Sequence, residues 1–191
     1  MNHLYEQLTA LKLTGFRDAL KKQLAQPGTY QELGFEERLS LLTAEELTCR
    51  ENRKAERLIK HARFRLNAEL SKLDYRNNRG LDRALIRSLS QGNWLTLKQN
   101  ILLTGATGSG KTFLACALGH NACRQGYKVY YYRLKALMEQ CYQGHADGRY
   151  SKLLTRLNNS DLLLLDDWGL EPLSSEQRSD LLEIVDLMYQ R

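Results

Sequence analysis

Eight consecutive residues, Gly105-Ala106-Thr107-Gly108-Ser109-Gly110-Lys111-Thr112, separate a short apolar run from a helix-patterned one. They match G-x-x-x-x-G-K-[ST] at every fixed position. The glycines permit backbone conformations closed to other residues, so successive N–H groups can turn inward onto phosphate oxygens. A helix starting at Lys111 adds the positive end of its dipole. Lys111 is placed to reach the β- and γ-phosphates of ATP, and Thr112 to offer its hydroxyl to Mg²⁺. Gly105, Ala106, Thr107, Gly108, Ser109, Gly110, Lys111 and Thr112 are therefore the candidate nucleotide-binding residues. Such a loop joins a strand to a helix, and this restricts the C-terminal half to an alternating α/β architecture.

The residues around the loop follow that grammar. Ile101–Thr104 reads as a short apolar strand, Lys111–Arg124 as a helix closed by Gly126, and Val129–Tyr132 as a second strand. Leu134–Tyr142 reads as a helix, Gly144–Gly148 as a loop and Tyr150–Leu157 as another helix. Leu162–Leu165 is a wholly apolar strand, as expected where both faces are buried. Ser174 opens a last helix through Leu181, Ile184, Val185 and Met188. Strands separated by helices imply a parallel sheet with helices on both faces. Asp166 and Asp167 end the third strand. There, Asp166 would hold Mg²⁺ and Asp167 would orient an attacking water, with Lys111 and Asp167 as candidate catalytic residues. The plainer reading of the pair is an acidic helix cap.

The N-terminal half is helical and basic. The net charge of the chain is +6, and residues 1–99 hold 18 basic against 12 acidic residues, so the whole excess lies there. Such asymmetry points to a polyanionic partner. Short helices are expected through Leu4, Leu8 and Leu11, and through Phe16, Leu20 and Leu24, the second stopped by Pro27-Gly28. Phe35, Leu39, Leu42 and Leu47 mark a third. A longer helix then carries Ala55, Ile59, Ala62, Leu66, Leu70 and Leu73 as one apolar stripe. Arg50, Arg53, Lys54, Arg57 and Lys60 fall on the other side and are the candidate DNA-contacting residues. Phe64 also lies on that side, where it would contact a base or pack on a neighbour. Tyr75–Gly80 reads as a linker and Leu81–Leu89 as a short helix. The expected organisation is a helical domain over 1–75, a linker with a short helix over 76–98, and the ATP-binding domain over 99–191.

Several function classes are excluded. No apolar run is long enough to span a bilayer, and the start lacks the pattern of a signal peptide. Cys49, Cys116, Cys123 and Cys141 form no C-x-x-C pair and read as small buried residues in a reducing compartment, which places the protein in the cytoplasm. The four histidines have no metal-ligand spacing.

Thr104–Thr112, then Cys116-Ala117-Leu118-Gly119, then Asp166-Asp167-Trp168-Gly169-Leu170 closely resemble the IstB-like ATP-binding proteins. Phe35-Glu36-Glu37-Arg38-Leu39 followed by Glu45-Glu46 and an Arg-rich helix is similar to the N-terminal domain of that family. The resemblance covers nearly the whole chain. It implies an AAA+ fold related to DnaC and DnaA, and a transposition helper that binds ATP and Mg²⁺. It also implies a homo-oligomer on double-stranded DNA that presents target DNA to a transposase. Competing readings are a DnaC-like helicase loader and a small-molecule kinase. An AAA+ core has two further strands, a sensor residue, an arginine finger and a lid, none of which is seen before Arg191. The expected consequence is a gap between the Ile101 and Leu162 strands. Those two strands would then pair with each other, recruit another chain, or stay unpaired. Direct pairing would displace Asp166 from Lys111 and Thr112, and little or no ATP turnover is expected, even with DNA present.

Overall fold

The computed structural model describes residues 2–75 and 81–189. The chain divides into two compact units, Met1–Ala55 and Glu56–Arg191. This division lies inside a helix, earlier in the chain than the boundary expected at residue 75. Most of the segment expected as a linker, residues 76–80, falls outside the described residues.

In the first unit, α1 (Asn2–Ala10) and α2 (Thr14–Ala25) precede the one-turn helix α3 (Pro27–Tyr30). Pro27 does not simply stop a helix. It takes the first position of α3, where its missing N–H costs nothing. The long helix α4 (Phe35–Ala62) merges the two helices expected separately, because neither glycine nor proline interrupts Phe35–Ala62. Glu46 on α4 is buried, and its carboxylate accepts from Arg50 Nε at 2.7 Å and from the Phe16 N–H at 3.0 Å. The Arg50 hydrogen bond outweighs burial and holds this carboxyl below the usual range.

The expected apolar stripe outlasts its helix. Arg63 takes a left-handed φ of 56°, so α4 ends at Ala62 and not near Leu73. Leu66 is left exposed, while Leu70 and Leu73 pack with Ile86, Leu114 and Leu118 from a loop and a single 3₁₀ turn, Leu70–Lys72. Phe64 turns inward against His120, with ring centroids 4.5 Å apart, so it packs on a neighbour and is not presented to a base.

In the second unit, α5 (Arg83–Ser90) is capped by the Asp82 carboxylate, which accepts from the Ala84 N–H at 2.8 Å. A single turn, α6 (Asn93–Thr96), leads toward α7 (Lys111–Arg124). Then come β1 (Val129–Arg133), α8 (Leu134–Asp147), α9 (Tyr150–Asn158), β2 (Leu162–Asp166) and α10 (Ser175–Tyr189). Helix α8 runs through Gly144, so the expected loop shrinks to a turn at Gly148, whose φ is 73°. Ser174 and Gln177 form a reciprocal capping box at the start of α10.

Strands β1 and β2 are parallel, with Val129 opposite Leu162 and Arg133 opposite Asp166. Their alternation sends Val129, Tyr131, Leu162 and Leu164 toward α7. Tyr132, Leu163 and Leu165 face α8, α9 and α10. Helices therefore cover both faces of a parallel sheet, as expected. Gly119 lets α7 lie close to the sheet, since a Cβ there would stand 2.8 Å from Leu164 Cδ1 and 2.5 Å from Phe64 Cε1.

The strand expected at Ile101–Thr104 is absent from the sheet. The side chains still alternate, with Ile101 and Leu103 on the α5–α7 core and Leu102 83% exposed. A strand needs a neighbour to exchange hydrogen bonds with, and among the described residues β2 pairs only with β1. Leu162–Leu165 is correspondingly only half-buried. Of the three outcomes expected for these segments, direct pairing of Ile101–Thr104 with Leu162–Leu165 is not seen among the described residues.

Candidate functional site

The loop before α7 is built on left-handed glycines. Gly108 and Gly110 have φ of 79° and 97°, values that a side chain would strain. Gly110 is the residue from which α7 starts, and its carbonyl takes the Leu114 N–H at 2.9 Å. Lys111 Nζ folds over the loop and donates to the Gly105 and Ala106 carbonyls at 2.7 and 2.9 Å. Its ammonium thus lies over the cradle formed by residues 105–110.

Thr112 and Asp166 meet although 54 residues separate them. The Thr112 hydroxyl donates to Asp166 Oδ2 at 2.9 Å and lies 3.1 Å from Oδ1. The displacement of Asp166 expected on direct pairing of the Ile101 and Leu162 strands does not arise, because those segments do not pair, and Asp166 lies beside Thr112 without a strand between them. Tyr131 supplies a third oxygen, its hydroxyl donating to Asp166 Oδ2 at 2.6 Å. Burial alone would raise the Asp166 carboxyl. The hydrogen bonds from Tyr131, Thr112 and the Asp167 N–H, with the charge of Arg65, outweigh it and hold the group below its ordinary value. Burial, and then the bond to Asp166, push the Tyr131 phenol far upward, so it stays a donor.

Asp167 adopts a left-handed φ of 59°. Its Oδ2 lies 3.6 Å from Arg133 Nε and 3.9 Å from Arg65 Nη1. The two acids therefore have different surroundings, a hydroxyl pair for one and a guanidinium pair for the other. Neither caps a helix, since α10 begins at Ser175.

A cavity of about 740 Å³ opens beside the loop. Gly105, Ala106 and Lys111 line one end, and Leu73, Ile86 and Leu103 are among its apolar walls. Its size and mixed lining suit a small ligand with one charged end. Sequence reasoning missed these walls, and also Tyr131, Arg65 and Arg133. Tyr131 and Arg133 stood in a strand pattern whose facing needed the register. Arg65 carried no signal at all.

The candidate DNA-contacting residues are less uniform than their spacing suggested. All five are exposed on α4. Arg50 is committed to Glu46, and an Arg53 guanidinium nitrogen donates to the Thr14 hydroxyl. Lys54, Arg57 and Lys60 have no ion pair among the described residues. The cysteines are all free thiols. No group of acidic, His or Cys side chains among the described residues forms a metal cluster, and no described helix is long and apolar enough to cross a membrane.

A glycine cradle, a lysine over it, and a Thr–Asp pair where strand and helix meet define a P-loop nucleotide-binding protein. The profile of the IstB-like ATP binding protein family matches residues 6–191, and this chain belongs to that family. It is 46% identical over 185 residues to a protein of Pseudomonas fluorescens named for ATP binding in insertion sequence IS1162, covering 96% of this chain and 80% of that one. The y4pL insertion-sequence ATP-binding protein of Sinorhizobium fredii is 41% identical over 186 residues, 97% of this chain and 76% of its own. An insertion sequence IS21 ATP-binding protein of Pseudomonas aeruginosa is 28% identical over 191 residues, covering 100% and 72%. The expected family and fold class hold, and ATP is the nucleotide of this family.

Proposed function

We propose that this chain is a cytoplasmic transposition helper that binds ATP with Mg²⁺, assembles as a homo-oligomer on double-stranded DNA, and presents that DNA to a transposase. The convergence of Lys111, Thr112 and Asp166, in a chain whose relatives are named for ATP binding in insertion sequences, carries the reading. In this reading Gly105–Thr112 wraps the phosphates, and Lys111 exchanges its carbonyl partners for β- and γ-phosphate oxygens. Adenosine lies against the apolar walls of the adjoining cavity. Thr112 and Asp166 are hard oxygen donors on one spot, which suits Mg²⁺. Mg²⁺ would neutralise phosphate charge there. Asp167, steadied by Arg65 and Arg133, orients the attacking water. Residues 1–75 serve DNA or partner binding, and residues 99–191 serve nucleotide binding.

Lys54, Arg57 and Lys60 are the α4 cations best suited to phosphate contact, because they form no ion pair among the described residues. Such contacts hold the duplex without reading its sequence. Titrating duplex DNA of unrelated sequences with and without ATP tests the reading, together with a transposase pull-down. Tighter, sequence-tolerant, ATP-dependent binding and transposase capture are expected. Charge reversal at Arg57 and Lys60 is expected to lower the salt dependence by roughly one unit of log–log slope per lost contact. DNA affinity indifferent to ATP, with no transposase captured, would sink the proposal.

A further inference from the structure

A second group of cations lies in the ATP-binding unit, among residues that do not line the cavity beside the P-loop. It surrounds the first strand. Lys128 Nζ stands 5.5 Å from the centre of the Tyr130 ring. The Arg156 guanidinium lies 5.8 Å from both the Tyr130 and the Tyr132 rings, and it also donates to the Tyr132 hydroxyl. Burial raises the Tyr132 phenol, and the charges of Arg156 and Arg63 oppose that rise, so Arg63 belongs to the same neighbourhood. Lys152 precedes Arg156 by one turn on α9 and shares its face. Helix α9 carries no acidic residue.

No carboxylate among the described residues pairs with these cations. Two exposed cations elsewhere in this unit do sit on carboxylates, Arg124 at 3.3 Å from Glu69 and Lys135 at 3.1 Å from Glu171. Arg63, Lys128, Lys152 and Arg156 form no such pair among the described residues. Asp161 is nearby, but its carboxylate accepts the backbone N–H of Lys128 at 2.7 Å. Four unpaired cations beside one such acid leave a surface of net positive charge. Tyr130 and Tyr132 hold the Lys128 and Arg156 side chains over a firm base through cation–π contact.

We propose that Arg63, Lys128, Lys152 and Arg156 form a second contact surface for the phosphate backbone of duplex DNA, in addition to the α4 face. This rests on the DNA-binding reading given above. The choice of duplex follows from burial. Tyr130 is only 6% exposed, and the half-buried Tyr132 has Arg156 5.8 Å from its ring centre and bonded to its hydroxyl, so neither ring offers an open platform for an unpaired base. Cations without an open aromatic face suit a backbone and do not suit a splayed single strand.

The test uses the full chain with Lys128, Lys152 and Arg156 all changed to Gln. Binding to a mixed-sequence duplex is measured across a salt series, beside the matching single strand and vesicles containing phosphatidylserine. The variant is expected to bind duplex more weakly, with a log–log salt slope shallower by roughly one unit per lost contact. Its affinity for a fluorescent ATP analogue is expected to stay unchanged. Arg156→Lys keeps the charge and is expected to keep the slope. Should the triple variant lose its cooperative melting transition, Lys128→Gln with Lys152→Gln carries the same expectation. Unchanged duplex affinity and slope would overturn the proposal, as would a loss confined to single strands or to vesicles. Failure of the parent chain to bind duplex overturns the earlier DNA reading as well. Loss on reversing Arg57 and Lys60, with none in the triple variant, overturns this surface alone.

Discussion

The Tyr131 hydroxyl donates to Asp166 Oδ2 at 2.6 Å, from a neighbouring strand and two places along the register. Leu164 stands directly opposite Tyr131, so the ring spans the diagonal to the next residue on the same face. Asp166 Oδ2 thus accepts from two hydroxyls, those of Tyr131 and Thr112.

Tyr131→Phe removes that donor and little volume. A hydrogen bond to a charged group is worth about 1.5–3 kcal/mol. Asp166 is held below its ordinary value, so its ionised form persists at mildly acidic pH and is lost only as pH falls through the lowered value. Without Tyr131 that value rises. The acid limb of Mg²⁺-dependent nucleotide binding is therefore expected to move to higher pH. Binding at neutral pH without Mg²⁺ is expected to change little. Titrating a fluorescent ATP analogue against Mg²⁺ at several pH values checks both, and an unmoved acid limb counts against the role of Tyr131.

Lys111→Ala removes the ammonium from above the cradle. The two carbonyls it leaves, those of Gly105 and Ala106, are exposed and are met by water, so the melting temperature is expected to hold. ATP affinity is expected to fall on the order of a hundredfold or more, because charge-assisted contacts to phosphate are lost. Equilibrium binding and a thermal melt decide the matter together. Unchanged affinity would overturn the P-loop assignment.

Gly119→Ala adds a methyl where Phe64 Cε1 and Leu164 Cδ1 would stand 2.5 and 2.8 Å away. Overpacking of this kind costs about 1–3 kcal/mol. The expected result is a lower midpoint of chemical unfolding, even though alanine is the better helix former. A midpoint that rises would mean the helix and sheet separate more readily than their packing implies.

Cys116, Cys123 and Cys141 are buried, and burial pushes the Cys123 and Cys141 thiols up to about 12. Reaction requires the thiolate, which is scarce at neutral pH under those conditions. Brief treatment of the folded protein with iodoacetamide at neutral pH is expected to label Cys49 ahead of the other three. Mass spectrometry of the peptides reads the order, and early labelling of Cys123 would show that α7 is less well covered than described.

The parts of this molecule legible in its sequence are those decided locally. Lys111–Arg124 was readable to the residue, because a lysine after three spaced glycines begins the helix and Gly126 ends it. Asp166 was legible from its place at the end of an apolar strand. Ile101–Thr104 was not, since alternation of side chains is local but a strand also needs a partner ladder. The end of α4 was hidden for a related reason: Leu66, Leu70 and Leu73 keep helical spacing while the chain turns away at Arg63. Arg65 and Arg133 reach Asp167 only because of that turn and of the strand register.

The segment Ile101–Thr104 forms no backbone–backbone hydrogen bonds with described residues. The glycine loop that follows is held by backbone hydrogen bonds of α7 at one end, and only by the side-chain packing of Ile101 and Leu103 at the other. Part of the attraction for a triphosphate must then be used in fixing the loop, and the affinity observed is what remains. A neighbouring backbone laid along this segment would meet that ordering cost beforehand. Nucleotide binding would tighten without any new contact to the phosphates, and the gain would appear in calorimetry as a smaller entropic penalty.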